Sequence, residues 1–422
     1  MGVGEGDWGR GQGLPQAGTP APPAPASPPN NRSPKILIVA GEASGDDHAA
    51  RLVGAIREQL PGAQFFGVGG EALAAQGVRL LCPVSELAVV GLSEVVGRLP
   101  AVLKALRDVG RALRDERPAL AILVDFPDFN FWVARLAKLN RVPVMYYISP
   151  QVWAWRTYRV KTLARLTNRL AVIFPFEADF YGERGVPVAY VGHPLMETLP
   201  PRPERGLWLS GHGLDPERLT MALLPGSRAG EIARHLPDML TAAALIQQAI
   251  PQTQFILPLA STAPVELMEK MVSGERQGRV GSGFKPAPTI NIIQGQSYQA
   301  LAAAHLAIVA SGTATLEAAL AATPTVIVYR LSPLTFTVGR RLIRVPHVGM
   351  ANLLAGERLF PELIQDDFTP ERLAREALAF VQEQARLEVL RRGLARVVGR
   401  LGGPGASRRA AQVALELLVS RG

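Results

Sequence analysis

The sequence predicts an α/β protein whose two domains face a common cleft and are followed by a helical tail. Three observations carry this. A short apolar run stops at a turn of Gly and small residues before helix-like sequence at 35–46 and again at 222–231, and each turn gathers unpaired backbone N–H groups at a helix start, where an anion is favoured. From Lys35 onward, apolar strands alternate with amphipathic helices in the rhythm of parallel βαβ units. A stretch bearing Pro200, Pro201 and Pro203 breaks that rhythm, and the pattern then restarts.

The first domain is read over 35–193, with strands at 36–40, 64–68, 119–125, 142–149, 169–174 and 186–191 and helices at 45–60, 130–140 and 158–167. Residues 194–216 read as a linker. The second domain, 217–369, has strands at 219–224, 254–259, 289–293, 305–310 and 325–329 and helices at 231–250 and 313–322. The tail from 370 is rich in Ala, Leu, Arg and Glu, is broken at 402–405, and is expected to pack back on the domains. In open parallel sheets ligands bind beyond the carboxyl ends of the strands, so the cleft between two such sheets is the expected site.

Composition narrows the class. With 422 residues, 48% hydrophobic and 19% charged, the chain has material for about two domains and is not a disordered protein. No apolar run approaches the roughly 20 residues of a spanning helix. Residues 1–34 are dominated by Gly, Pro and Ala without a signal-type apolar core, and read as a disordered extension or a start codon placed too early. The lone Cys82 excludes an intrachain disulfide and a thiolate metal cluster, which together with the missing signal suggests a cytoplasmic protein. The net charge of +9, gathered in part at Arg156, Arg159, Lys161, Arg165 and Arg169, favours phosphates of nucleotides, lipids or nucleic acids, although a solvated helix face explains any single Arg equally well. Nucleic acid is disfavoured because no recognition helix or RNA motif accompanies the charge.

Asp125 ends an apolar strand. A carboxylate there faces the cleft and has its proton affinity raised by desolvation, which makes it the candidate general base, whereas Asp128 is assigned to capping the following helix. The turn with Gly41, Glu42, Ser44, Gly45 and Asp46 lacks GxGxxG spacing; it suits either a sugar or phosphate of an acceptor or a plain βα loop. Gly226, Ser227 and Arg228 follow a strand and open a helix, as a diphosphate held by backbone donors and a guanidinium requires. Ser311, Gly312 and Thr313 repeat the arrangement, with Glu317 placed to accept from ribose hydroxyls. The aromatic run 146–155 sits at a strand end and suits either core packing or an apolar ligand channel. The apolar segment 87–106, with Val89, Val90, Leu92, Val95, Val96 and Leu99 and trailing Arg107, Arg111 and Arg114, suits either a core helix or a membrane interface. The six His residues show no ligand spacing, so no bound metal is expected.

Taken together, the segments 41–46, 125–130, 149–156, 175–177 with Tyr181, 191–194, 224–228 with Glu231, 311–317, 352–356 and 361–363 resemble the lipid-A-disaccharide synthases, glycosyltransferases of the GT-B type with two Rossmann-like domains. The likeness runs from about Lys35 to the C-terminus. Gln151 stands where some members carry Ser, and Ala351 where a Pro is usual. The resemblance implies transfer, with inversion, of a diacylated glucosamine from a UDP-diacylglucosamine donor to the primary hydroxyl of a diacylglucosamine 1-phosphate acceptor, without a cofactor. It implies that Asp125 acts as base and Arg228 steadies the leaving group. Gly226, Ser227, Ser311, Gly312, Thr313, Glu317 and Asn352 would hold the donor, and Glu42, Ser44, Gly45, Asp46, Ser149 and Trp153 the acceptor. It further implies residence at the cytoplasmic face of the inner membrane, admits a homodimer and involves no nucleic acid. The competing enzyme reading is another UDP-sugar enzyme of this architecture, such as a peptidoglycan glycosyltransferase or a sugar epimerase.

Overall fold

The computed structural model describes residues 33–84, 94–155, 157–259, 265–276, 288–332, 336 and 345–420. The first lobe is a sheet of β1 (Lys35–Ala40), β2 (Gln64–Gly69), β3 (Arg79–Pro83), β4 (Leu120–Val124), β5 (Val144–Tyr147), β6 (Arg169–Val172) and β7 (Val188–Tyr190), in the order β3-β2-β1-β4-β5-β6-β7. The second lobe holds β8 (Thr220–Leu224), β9 (Gln254–Leu259), β10 (Ile290–Gln294), β11 (Leu306–Ala310), β12 (Thr325–Tyr329) and β13 (Glu362–Ile364), in the order β10-β9-β8-β11-β12-β13. Every pairing is parallel.

Helices cover both faces of each sheet, so the central strands are apolar at every position rather than alternately, and β4, β8 and β11 are buried throughout. The helix Ala43–Gln59 shows the complementary pattern, burying Ala49, Leu52, Val53 and Ile56 on one stripe. Two strands absent from the sequence reading, β3 and β13, lie at sheet edges. Both are short, and neither has the continuous apolar run of a central strand.

The expected linker is more structured than its prolines suggest. Leu195–Thr198 and Arg205–Gly211 are helical, and the Glu204 carboxylate accepts from the Gly206 and Leu207 N–H groups. Leu209 and Leu214 pack with Ile256 and Ile293, and the Arg205 Nε donates to the Ala303 carbonyl at 3.1 Å. The chain therefore joins the second lobe at about Arg205, because the helix there has a cap and an apolar face of its own.

The tail divides its packing. Pro370–Gln382 lies on Ala229–Ala249 in the second lobe, whereas Ala406–Val419 lies on Ala43–Gln59 in the first. Arg408 pairs with Glu58 at 3.2 Å, the Ser407 N–H and hydroxyl donate to Glu197 at 2.8 and 2.6 Å, and the Arg409 Nε donates to the Val191 carbonyl at 2.7 Å. The chain thus crosses between lobes twice, near 199–204 and 400–406.

Candidate active site

In each sheet the strand order reverses between two central strands, β1 and β4 in the first and β8 and β11 in the second. The loops after these strands diverge and leave a crevice. Glu42 and Ser44 follow β1, Asp125 follows β4, Gly226, Ser227 and Arg228 follow β8, and Ser311, Gly312 and Thr313 follow β11. The candidates therefore occupy the switch points of the two sheets.

Asp125 and Phe126 have φ of +45° and +50°, the left-handed region that side-chain-bearing residues rarely adopt. Strain of this kind, about 1 to 3 kcal/mol per residue, persists only where the surroundings over-determine it. Here the Asp125 carbonyl accepts from the Tyr146 hydroxyl and from the Asn130 Nδ2, each at 2.7 Å, and its N–H donates to the Tyr147 carbonyl at 3.1 Å. With its backbone clamped, the partly buried carboxyl is pushed up from 3.8 to about 6, first by burial and then by the nearby Glu42 charge. That places a proton acceptor in the useful range.

Gly41 fixes the approach of the adjacent turn, since a Cβ there would lie 1.9 Å from the Phe126 ring. The first helix consequently begins against the Asp125 loop, with Glu42 at its start. Across the crevice, an Nη2 of Arg228 donates to a Glu42 oxygen at 3.4 Å, joining residues of the two lobes. Gly226 has φ +114°, and a Cβ there would lie 2.6 Å from Glu231 Oε2, the oxygen that accepts from the Ser227 and Arg228 N–H groups at 3.3 and 3.4 Å. Open space surrounds Gly312, Thr313 is exposed, and burial raises the proton affinity of Glu317. The Arg228 guanidinium of the second lobe therefore stands opposite the Glu42 and Asp125 carboxylates of the first, with the turn 311–313 at the end of the strand next to its own.

Other predicted residues lie elsewhere in the network. Asp46 accepts from the Gly70 and Ala72 N–H groups at 2.7 and 2.9 Å, so it caps the helix Glu71–Ala75; Gly45 is buried in the first helical turn. Ser149 Oγ and Trp153 Nε1 both donate to the buried Glu177, at 3.3 and 3.0 Å. Asn352 is wholly buried, donating to the Phe360 carbonyl and to Glu362 and accepting from the Phe360 N–H, all at 2.8 Å. Ser311 Oγ donates to the Val348 carbonyl at 2.8 Å. The polar groups of Asp46, Ser149, Trp153 and Asn352 thus serve internal bonds that shape the loops around the crevice. Asp128 does not cap; Phe126 holds the N-cap position, Pro127 follows, and Asp128 pairs with Arg159 at 3.2 Å.

Of the apolar candidates, Val89, Val90 and Leu92 lie outside the described residues. Val95 and Val96 fall on the helix Glu94–Glu116, as does Leu99, which is exposed. Arg156 of the basic run is also outside the described residues.

Sequence reasoning gave no individual role to Asn130 or Glu177, and Tyr146 entered it only as part of the aromatic run. Asn130 could have been suspected from its place five residues after Asp125. Glu177 carries no local signal, yet it accepts from Ile173 N and Phe174 N as well as from Ser149 and Trp153, and burial pushes it up to about 7. His48 and His193 are driven down by burial to about 4 and about 3, hence neutral. Among the described residues no group of three or more His, Cys, Asp or Glu is arranged to hold a metal ion.

Two Rossmann-like lobes, each with a central switch point, and helices closing the chain define a fold of the GT-B type. Solved structures share this fold at low identity. CalG4, the calicheamicin glycosyltransferase, superposes with a TM-score of 0.56 at 19% identity, covering 92% of this chain and 98% of its own. A UDP-GlcNAc 2-epimerase from Neisseria meningitidis gives 0.62 at 10%, covering 90% and 100%.

Sequence comparison is more specific. The family model described as lipid-A-disaccharide synthetase matches residues 36–417, and the chain belongs to that family. It is 46% identical over 385 residues to the lipid-A-disaccharide synthase of Myxococcus xanthus, covering 91% of this chain and 98% of the relative. To that of Syntrophus aciditrophicus it is 44% identical over 383 residues, covering 91% and 97%. The chain is accordingly an enzyme of lipid A biosynthesis that forms a disaccharide.

Proposed function

We propose that the enzyme transfers 2,3-diacylglucosamine from UDP to the primary hydroxyl of 2,3-diacylglucosamine 1-phosphate, with inversion, releasing UDP. The observation that supports this most directly is the interlobe arrangement: Asp125 and Glu42 of the first lobe meet Arg228 of the second across one crevice. In the reaction the acceptor oxygen forms a bond to the donor's anomeric carbon as the bond from that carbon to the diphosphate breaks. Asp125 takes the hydroxyl proton, since an unassisted sugar alcohol is a poor nucleophile near neutral pH. The carbon passes through an oxocarbenium-like state, and attack opposite the leaving group gives the β-linkage. Charge gathering on the diphosphate meets Arg228 and the turn at Gly312 and Thr313, already oriented by the fold. Glu317 would accept from the ribose.

The first lobe also suits acylated substrates. On the helix Glu94–Glu116, Leu99 and Leu103 are 53% and 51% exposed and one turn apart, and the neighbouring helix Pro127–Leu139 exposes Trp132 and Leu139. No described helix is long and apolar enough to cross a membrane. We therefore assign this patch, with its flanking Arg residues, to peripheral contact with the cytoplasmic face of the inner membrane. The domain limits proposed are 35–193 for the acceptor lobe and 205–369 for the donor lobe, which the helix Arg205–Gly211 opens, with the helices after 370 closing on both.

The test is mass spectrometry and proton NMR of purified enzyme supplied with both diacylated sugars. The expected products are a disaccharide 1-phosphate with a large anomeric coupling and one equivalent of UDP. An α-linked product, hydrolysis alone, or a C2 epimer of the donor without disaccharide would refute the assignment.

A further inference from the structure

The pairing of Glu42 with Arg228 links the two halves of the site in a way the reaction scheme leaves unused. Both side chains are exposed, so the ion pair is weak and readily exchanged. Arg228 has a second carboxylate nearby, Glu231, at 3.8 Å. A diphosphate at the turn 225–228 carries more charge than either carboxylate and offers the bidentate geometry that a guanidinium prefers.

We propose that Glu42 is a positioning residue that holds Arg228 while the crevice is empty and surrenders it to the donor's diphosphate, leaving an unneutralised carboxylate beside Asp125 that readies the base. This rests on the donor-site reading above. The geometry supplies the coupling: Gly41 seats the start of the first helix against Phe126, which keeps Glu42 next to the Asp125 loop whether or not Arg228 is present. Among the described residues the groups facing Asp125 come from both lobes. Glu42 comes from the turn after β1 and Arg228 from the second lobe, while Tyr146 and Asn130 address its backbone carbonyl, and Glu231 stands behind Arg228. Of these, Glu42 already raises the proton affinity of Asp125 and Arg228 lowers it. Withdrawing the cation and adding a dianion both act in the raising direction. Donor binding thus strengthens the base only when there is a leaving group for it to serve, and favours donor before acceptor.

Calorimetric titration of the full chain with UDP at pH 6.5, in two buffers of different ionisation enthalpy, counts the protons exchanged. Subtracting the count for Asp125→Asn cancels the nucleotide's own ionisation. If the Asp125 value climbs by about one pH unit from about 6, the wild type takes up about half a proton more than Asp125→Asn. Glu42→Gln should cut that excess to less than half, and Glu42→Asp, which keeps the charge, should restore most of it. The acidic limb of kcat, which reports the bound enzyme, should lie above that of kcat/KM for the donor, and the gap should close in Glu42→Gln. UDP binding with equal proton counts in wild type and Asp125→Asn, or an unchanged excess in Glu42→Gln, would overturn the proposal while leaving the donor site intact. Failure of the wild type to bind UDP would remove the donor site itself, and the proposal with it.

Discussion

Replacing Asp125 with Asn should make the protein more stable and nearly inactive, and the pH dependence of the first effect identifies its cause. The carboxyl is raised from 3.8 to about 6 in the folded chain, so the folded state binds its proton more tightly than the unfolded state does. For such a group the stabilising contribution is present below the unfolded value and lost as pH rises through the folded one. At about 1.36 kcal/mol per pH unit, ionised Asp125 costs at most about 3 kcal/mol at pH 8, a ceiling because solvent reaches the partly buried group. The same relation leaves about 1.5 kcal/mol at pH 5 and little below pH 4. Asn also tolerates the left-handed backbone at 125, but that gain does not vary with pH. Urea unfolding of wild type and variant at pH 5 and pH 8, followed by tryptophan fluorescence, reads the difference. Loss of the base should slow turnover by about 10²- to 10⁴-fold without weakening UDP binding. A stability gain equal at both pH values would refute the desolvated-carboxylate argument, and near-normal turnover would refute Asp125 as the base.

Arg228→Ala should weaken UDP binding by about 10- to 100-fold, the worth of a charge-assisted hydrogen bond, with circular dichroism unchanged because the side chain is exposed; calorimetry measures it. Gly41→Ala forces a methyl into the Phe126 ring, so we expect a loss of about 1 to 3 kcal/mol in unfolding free energy and a fall in turnover, which a smaller ring in Phe126→Leu should partly restore. Glu177, raised from 4.5 to about 7 by burial, makes its stabilising contribution in full below pH 4.5 and loses it as pH rises through 7; Glu177→Gln should flatten the fall in stability between about pH 4.5 and 7 while weakening the fold about 1 to 3 kcal/mol at pH 4, where the wild-type carboxyl is protonated. Charging the exposed pair in Leu99→Glu/Leu103→Glu should reduce sedimentation with anionic vesicles at least about tenfold without loss of activity on short-chain substrates; unchanged partitioning would place the membrane contact elsewhere.

Much of the site could be read from residue order because its parts are turns. A Gly and a hydroxyl or carboxylate placed after an apolar run mark the end of a strand and the start of a helix, and three of the four loops at the two switch points announce themselves in this way, the loop at Asp125 having a carboxylate and Pro127 but no Gly. The residues whose side chains are engaged internally share a different property. Ser149 lies in a loop and Asp46, Trp153 and Asn352 in helices close to their starts, yet their partners are Gly70, Glu177, Phe360 and Glu362, none of which any local pattern marks as a neighbour. The edge strands β3 and β13 were missed for a related reason: a short strand covered on one side lacks the unbroken apolar run that identifies a central one.

Residue order alone determined the alternation of strands and helices, the restart after the prolines and the chemistry available at each turn, because side-chain periodicity and backbone freedom act within a few residues. The tertiary structure decided which turns meet. Glu42 reaches Arg228 across 186 positions, Glu177 collects donors from a loop more than 20 residues away, and the final helix leaves the second lobe to lie on the first. Such contacts depend on the order of strands in a sheet and on how one lobe sits over the other, and those are properties of packed surfaces rather than of any segment.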